Sequence, residues 1–243
     1  MNTLLLLLLD SRAPAGAQHH SGGMEAAIST GLVSGLADAE DFCRARLRTS
    51  ARVSAAFTAA ACWLQSHDPE RAVVHAPAQL RAGPTERSEE WAVLDAEFEA
   101  RTPSEAMRAA SRQLGGGLLR LLRSLLPDAD LATQWGVAGP VPHHPLVLGA
   151  GVSLAGGSPE LAARAAALAA CAGPASAAVR LLGLDPFAVQ AMLARLAPGI
   201  DDCARRAAKD ATGPPSSLPA DGAPALDLLA DFHFTAEVRL FAS

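Results

Sequence analysis

Four histidines and a serine are the residues in this chain whose types could do chemistry. His19-His20 and His143-His144 form two adjacent pairs in two loops, and imidazole nitrogen suits divalent ions such as nickel or zinc. Adjacent residues on one loop seldom both reach a single ion, and no Cys or carboxylate stands at a telling spacing from them. The pairs read as loop histidines that hydrogen-bond backbone, or as transient contacts for a metal in transit, nickel or zinc, at His19, His20, His143 and His144, with no permanent metal site. Ser21 follows His20 directly, but neighbours in sequence do not make a dyad, because the base must reach the hydroxyl from a defined direction. The chain contains no GxSxG, no GxxxxGK[ST] phosphate loop and no HExxH pair, so the common signatures of hydrolases, nucleotide-phosphate binding and zinc proteases are missing. No residue is assigned a catalytic role.

The elements that must carry these residues read as helical throughout. Asn2 to Leu9 fits either a short buried helix or an extended apolar arm, and Met24 to Thr30 a short helix that stops at Gly31. From Asp38 to about Gln65 one long helix is expected, since Cys43, Leu47, Ser50, Ser54, Phe57, Ala61 and Leu64 recur at gaps of four and three. Arg44, Arg48 and Arg52 make an i, i+4, i+8 row elsewhere on it, read as a solvated face or as a docking surface for an acidic partner. A second long helix is expected from Thr102, with Thr102 and Glu105 as capping box and Pro103 in the first turn, ending at Pro127. It contains Gly115-Gly116-Gly117. Each Gly costs a helix about 1 kcal/mol relative to Ala, so the triplet implies either a bend or the close approach of another backbone.

Further on, a short helix over 145–156 precedes an Ala-rich one started by Ser158-Pro159-Glu160, which Gly173-Pro174 is expected to interrupt before Ala175–Leu184. Asp185-Pro186 reads as an N-cap and first turn for a helix running to Ala208, with a kink at Pro198. Residues 66–88 read as a flexible connection, 212–224 as a linker and 225–243 as a C-terminal tail. The architecture expected is all-α, a single domain over 1–243 of about eight helices.

Composition bounds the rest. Of the 243 residues 54 are Ala, and only 4% are aromatic, with no Tyr, which disfavours a mostly β fold. A net charge of −5 lacks the basic footprint of a nucleic-acid binder. Cys43, Cys62, Cys171 and Cys203 are far apart, so neither a zinc finger nor a disulfide framework is indicated. The run Leu4–Leu9 has no basic segment before it and is too short for a secretory signal. Arg164 and Arg180 divide the longest apolar stretch. A soluble, cytoplasmic protein is expected, without nucleic acid or membrane as partner.

Four segments in order carry a resemblance. Asp10-Ser11-Arg12-Ala13-Pro14-Ala15-Gly16-Ala17 runs into His20-Ser21-Gly22-Gly23-Met24-Glu25. Ala100-Arg101-Thr102-Pro103, Ala110-Ser111-Arg112 and Gly117-Leu118-Leu119-Arg120-Leu121 follow. His144-Pro145, Gly149 and Ser176-Ala177-Ala178-Val179-Arg180-Leu181 come next, and His233, Arg239-Leu240-Phe241 and Ser243 close the chain. Together they resemble the urease accessory protein UreF family, in its actinobacterial form. Departures are Leu114-Gly115-Gly116 where the family often has Gln-Gly-basic, the Ala242-Ser243 ending, and missing aromatics near 18–20 and 237.

The resemblance implies an all-α homodimer without catalysis of its own. Such proteins connect UreD (also called UreH) with the GTPase UreG in a complex that delivers nickel to apo-urease. Nickel would be handled by the complex, with no cofactor resident in this chain. Partner-binding positions implied are Pro14, Gly16, His20, Ser21, Gly23 and Glu25 as a structured interface loop, Arg180, and Arg239, Leu240 and Phe241 as tail anchors for UreD.

Overall fold

The computed structural model describes residues 2–10, 13, 20–67, 84–127, 129 and 141–234. Its elements are α1 (Thr3–Leu9), α2 (Met24–Ser29), α3 (Leu36–Arg48), α4 (Ser50–Ser66), α5 (Pro84–Ala100), α6 (Glu105–Leu125), α7 (His144–Leu154), α8 (Pro159–Leu182), α9 (Pro186–Asp210), a 3-10 turn (Pro215–Ser217) and α10 (Pro224–Phe234). Among the described residues there is no strand, as an all-α reading requires.

Two helices form the centre. In α4 every residue from Ala55 to Cys62 is buried, and in α7 every residue from Pro145 to Ser153. Helices apolar on all sides must be enclosed on all sides. Around them α8 packs on α4, α9, α3 and α7; α6 packs on α7; and α10 lies on α6 and α2. The small side chains set the separation. A Cβ at Gly149 would stand 2.2 Å from the Thr58 carbonyl oxygen and 2.7 Å from Ala61 Cβ, so α4 and α7 cross almost backbone to backbone. By length and apolarity α8 could cross a membrane, yet it is a core-packing helix here.

Local sequence explains most boundaries. Asn2 caps α1, accepting from Leu5 N at 3.0 Å while its amide donates to Ala155 O at 2.8 Å; Leu5 and Leu8 then turn inward. Ser158 and Asp185 cap α8 and α9, each followed by Pro in the first turn.

Several boundaries differ from expectation. The helix expected over 38–65 is two helices, because Thr49 leaves helical backbone at φ −128°, ψ −109°, and its hydroxyl donates back to Ala45 O at 3.0 Å. That break lets α4 turn into the centre while α3 stays at the surface. The cap of α6 is Ser104, which accepts from Met107 N at 3.2 Å; Thr102 instead donates to Phe98 O at 3.1 Å and closes α5. The connection expected over 66–88 ends sooner, since α5 begins at Pro84 and seats Trp91, Leu94 and Phe98 in the core.

Gly173-Pro174 does not interrupt α8, which runs unbroken for 24 residues. A proline removes the amide that would reach the carbonyl four residues back, and here Arg46 Nε replaces it, donating to Ala170 O at 3.0 Å. Within the stretch read as linker, Leu218 is buried, Arg101 Nη2 donates to Ser216 O at 3.1 Å and Leu218 O at 3.3 Å, and Arg52 pairs with Asp221 at 3.0 Å. The first eleven residues from Pro224 onward are helical.

Candidate functional site

Two polar constellations stand out from the apolar framework. The first joins α5, α6 and the entry to α7. Asp95 and Glu99, one helical turn apart on α5, both accept from Arg112 Nη2 on α6, Asp95 Oδ2 at 2.9 Å. Arg112 Nη1 donates to Val141 O at 2.6 Å, and Asp95 Oδ1 accepts from the His143 amide at 3.0 Å. His143, fully enclosed, brings Nε2 to 3.4 Å from Glu99 Oε2 and sets its ring 4.9 Å from that of Phe98. The hydrogen bond from Arg112 holds Glu99 below the usual carboxylate range, and burial holds His143 below the usual imidazole, against the pull of Asp95 and Glu99.

Ligand atoms of Asp95, Glu99 and His143 lie within 4.8 Å of one another, a separation that a divalent ion could span. The Arg112 guanidinium already stands on both carboxylates, which is where the cation would bind. The cluster therefore reads as a strut that fixes the 141–144 segment on α6. Gly115 makes that seat close: a Cβ there would lie 2.0 Å from Pro142 O. Of the two explanations for the glycine triplet, close approach of another backbone is the one seen, and α6 is continuous from Glu105 to Leu125.

The second constellation is the step into α2. Gly22 and Gly23 both take positive φ, +61° and +88°, which glycine adopts without steric cost. Ser21 is completely buried, and its Oγ accepts from Glu25 N at 3.3 Å, so this serine is a helix-start ligand, not a free nucleophile. Met24 is buried behind it. Arg46, projecting from α3, donates from Nη1 to Gly22 O at 2.7 Å, with its guanidinium 6.0 Å from the Phe42 ring centre. His144 opens α7, its amide donating to Ser111 Oγ at 3.3 Å; lost solvation, and then the nearby charge of His20, lower its pKa to about 4.

The structure thus brings His20, Ser21, Gly23 and Glu25 into one ordered step and sets His20 in electrostatic range of His144. His143 belongs to the charge cluster instead. Arg180 lies exposed in the last turn of α8. Pro14, Gly16, His19, Arg239, Leu240 and Phe241 lie outside the described residues. Residue-type reasoning missed Arg46 and Asp95. Arg46 falls out of the Arg44, Arg48, Arg52 row, which was a signal that it faces another way. Asp95 and Glu99 lie one turn apart on a helix that was not anticipated.

The family model UreF matches residues 33–197. A urease accessory protein UreF of Mycobacterium sp. (strain JLS) is 39% identical over 242 residues, covering 99% of this chain and 98% of that protein. That of Mycolicibacterium vanbaalenii is 39% identical over 239 residues, covering 98% and 97%, and that of Mycobacterium marinum 38% over 242, covering 99% and 98%. These relatives extend through both constellations and the helices that hold them. The chain belongs to the UreF family of urease accessory proteins.

Proposed function

We propose that this chain is a non-catalytic urease maturation factor, which works in the cytoplasm as a homodimer and connects UreD (UreH) with the GTPase UreG. The resulting complex delivers nickel to apo-urease and governs GTP-dependent assembly of the metal centre. One observation carries the reading: likeness to proteins named urease accessory protein UreF runs through 99% of the chain. The ordered step at Ser21–Glu25 fits a docking role, because a loop already held in shape loses little conformational entropy when a partner covers it. Arg180, at the exposed end of α8, and Arg239, Leu240 and Phe241 are the other contacts proposed for partners.

Nickel is cargo in this scheme and not a cofactor of the chain. Of the histidines considered for passing contact, His143 is enclosed and set against Glu99, so the contact falls to His19, His20 and His144. The test is co-expression of the tagged chain with its own organism's UreD and UreG, with mass measured by light scattering. A complex holding two copies of each protein is expected, and deletion of the gene should leave urease poor in nickel. Soluble partners that form no complex, or full urease activity in the deletion strain, would refute the proposal.

A further inference from the structure

We infer that Arg46 is the positioning residue for the Ser21–Glu25 step, and that Pro174 is in α8 to give it a second anchor. The inference rests on the reading of that step as a docking element. Within α8 the missing amide of Pro174 leaves Ala170 O without its helical donor. Ala170 is partly buried, and a carbonyl shielded in this way is best served by a protein donor. Arg46 Nε supplies one at 3.0 Å, and Nη1 of the same guanidinium holds Gly22 O at 2.7 Å. The rigid fork of one arginine therefore ties the loop to a notch in a central helix.

Pro174 also closes the step from the other side. A Cβ at Gly22 would lie 3.1 Å from Pro174 Cγ and 3.6 Å from Arg46 Nη2, so residue 22 sits between the proline ring and the guanidinium. The other helix-interior proline provides a contrast. Pro198 and Ala194, the residue whose carbonyl it frees, are both exposed, so that carbonyl is open to solvent. Of these two prolines among the described residues, Pro174 is the one whose freed carbonyl accepts from a side chain that also grips a loop. Three features far apart in sequence, Gly22-Gly23, Arg46 and Pro174, form one latch.

Two variants test it. Pro174→Ala restores an amide to Ala170 O and competes with Arg46, while repairing the helix; Arg46→Lys keeps the charge but loses the fork. Hydrogen exchange at the amides of Gly22 to Glu25 reports on the latch, thermal melting on the fold, and titration with the UreD–UreG pair on docking. Pro174→Ala should melt no lower than the wild type, yet exchange faster at these amides and bind about tenfold more weakly, as loss of one charge-assisted hydrogen bond implies. Arg46→Lys should move exchange and binding the same way. Wild-type exchange and affinity in both variants would overturn the inference. If the wild-type chain binds neither partner, the functional reading fails, and the exchange comparison alone then decides whether Arg46 positions the step.

Discussion

Replacing Gly149 by Ala should unsettle the centre of the molecule, although alanine is the better helix former. The added methyl would stand 2.2 Å from Thr58 O, 2.7 Å from Ala61 Cβ and 2.9 Å from Cys62 N. A carbon–oxygen contact relaxes at about 3.3 Å, so α4 and α7 must part by about 1 Å, a gap that forfeits roughly a quarter to a half of the dispersion between facing atoms. Overpacking of this kind costs about 3 kcal/mol, and the gain in helix propensity returns about 1 kcal/mol. The expected net is a loss of about 2 kcal/mol, or roughly 4–8 °C in Tm for a domain of this size. Gly173→Ala is the matched control. It lies inside α8 where, among the described residues, only His20 O is within reach, at 3.9 Å, so the same chemical change should raise stability by about 1 kcal/mol. Urea unfolding followed by circular dichroism at 222 nm measures both. A Gly149→Ala protein as stable as the wild type, or shifts of one sign in the two variants, would refute the backbone-to-backbone crossing.

Three further outcomes are expected. Arg112→Met should destabilise the protein by about 2 kcal/mol, below the figure for a fully buried pair because Glu99 is partly exposed, and a urea midpoint unchanged from wild type would contradict the strut. Ser104→Ala removes the cap of α6 and the 2.6 Å hydrogen bond that Ser104 Oγ donates to Asp231 Oδ1 on α10; it should cost about 1 kcal/mol and speed proteolytic cleavage within 224–234. His144 has a folded pKa of about 4, below its ordinary 6.5, so the unfolded chain binds the proton first. Its contribution to stability is whole above pH 6.5 and is lost as pH falls toward 4. His144→Gln should flatten the fall of Tm in that window, and an unaltered pH profile would show that His144 is not its source.

The caps of α8 and α9 were legible because a capping side chain acts on amides two or three residues away, within the span that local sequence displays. Ser104 was harder, since Thr102-Pro103-Ser104-Glu105 offers two overlapping starts and only the demand of Phe98 O on the Thr102 hydroxyl separates them. Helix α5 was overlooked because its charged residues mask a sparse apolar stripe, although Trp91, Leu94 and Phe98 stand three and four apart. Pro174 misled for a different reason. Whether an interior proline breaks a helix depends on who serves the freed carbonyl, and the donor here is 124 residues away. The 20–25 segment was readable as a shaped loop from its glycines, while Arg46, hidden among outward-facing arginines, needed three dimensions.

The alanine-and-glycine centre also sets an unusual pattern of tolerance to mutation. Most cores are hurt chiefly by truncation, which opens cavities. Along α4, α7 and α8 the residues at the crossings include Ala55, Ala56, Ala59, Ala61, Ala150, Ala163, Ala167 and Ala178, each completely buried, and these have almost nothing to truncate. Enlargement is the damaging direction in so close-packed a centre, and most of all beside Gly149, where the neighbour is largely main chain, which has no rotamer to yield. A saturation scan across these helices should therefore be lopsided, with serine and glycine accepted at sites where valine and leucine fail. Drift in this lineage would then be channelled to the larger outer residues of α5 and α6, leaving the central crossing the slowest part of the molecule to change.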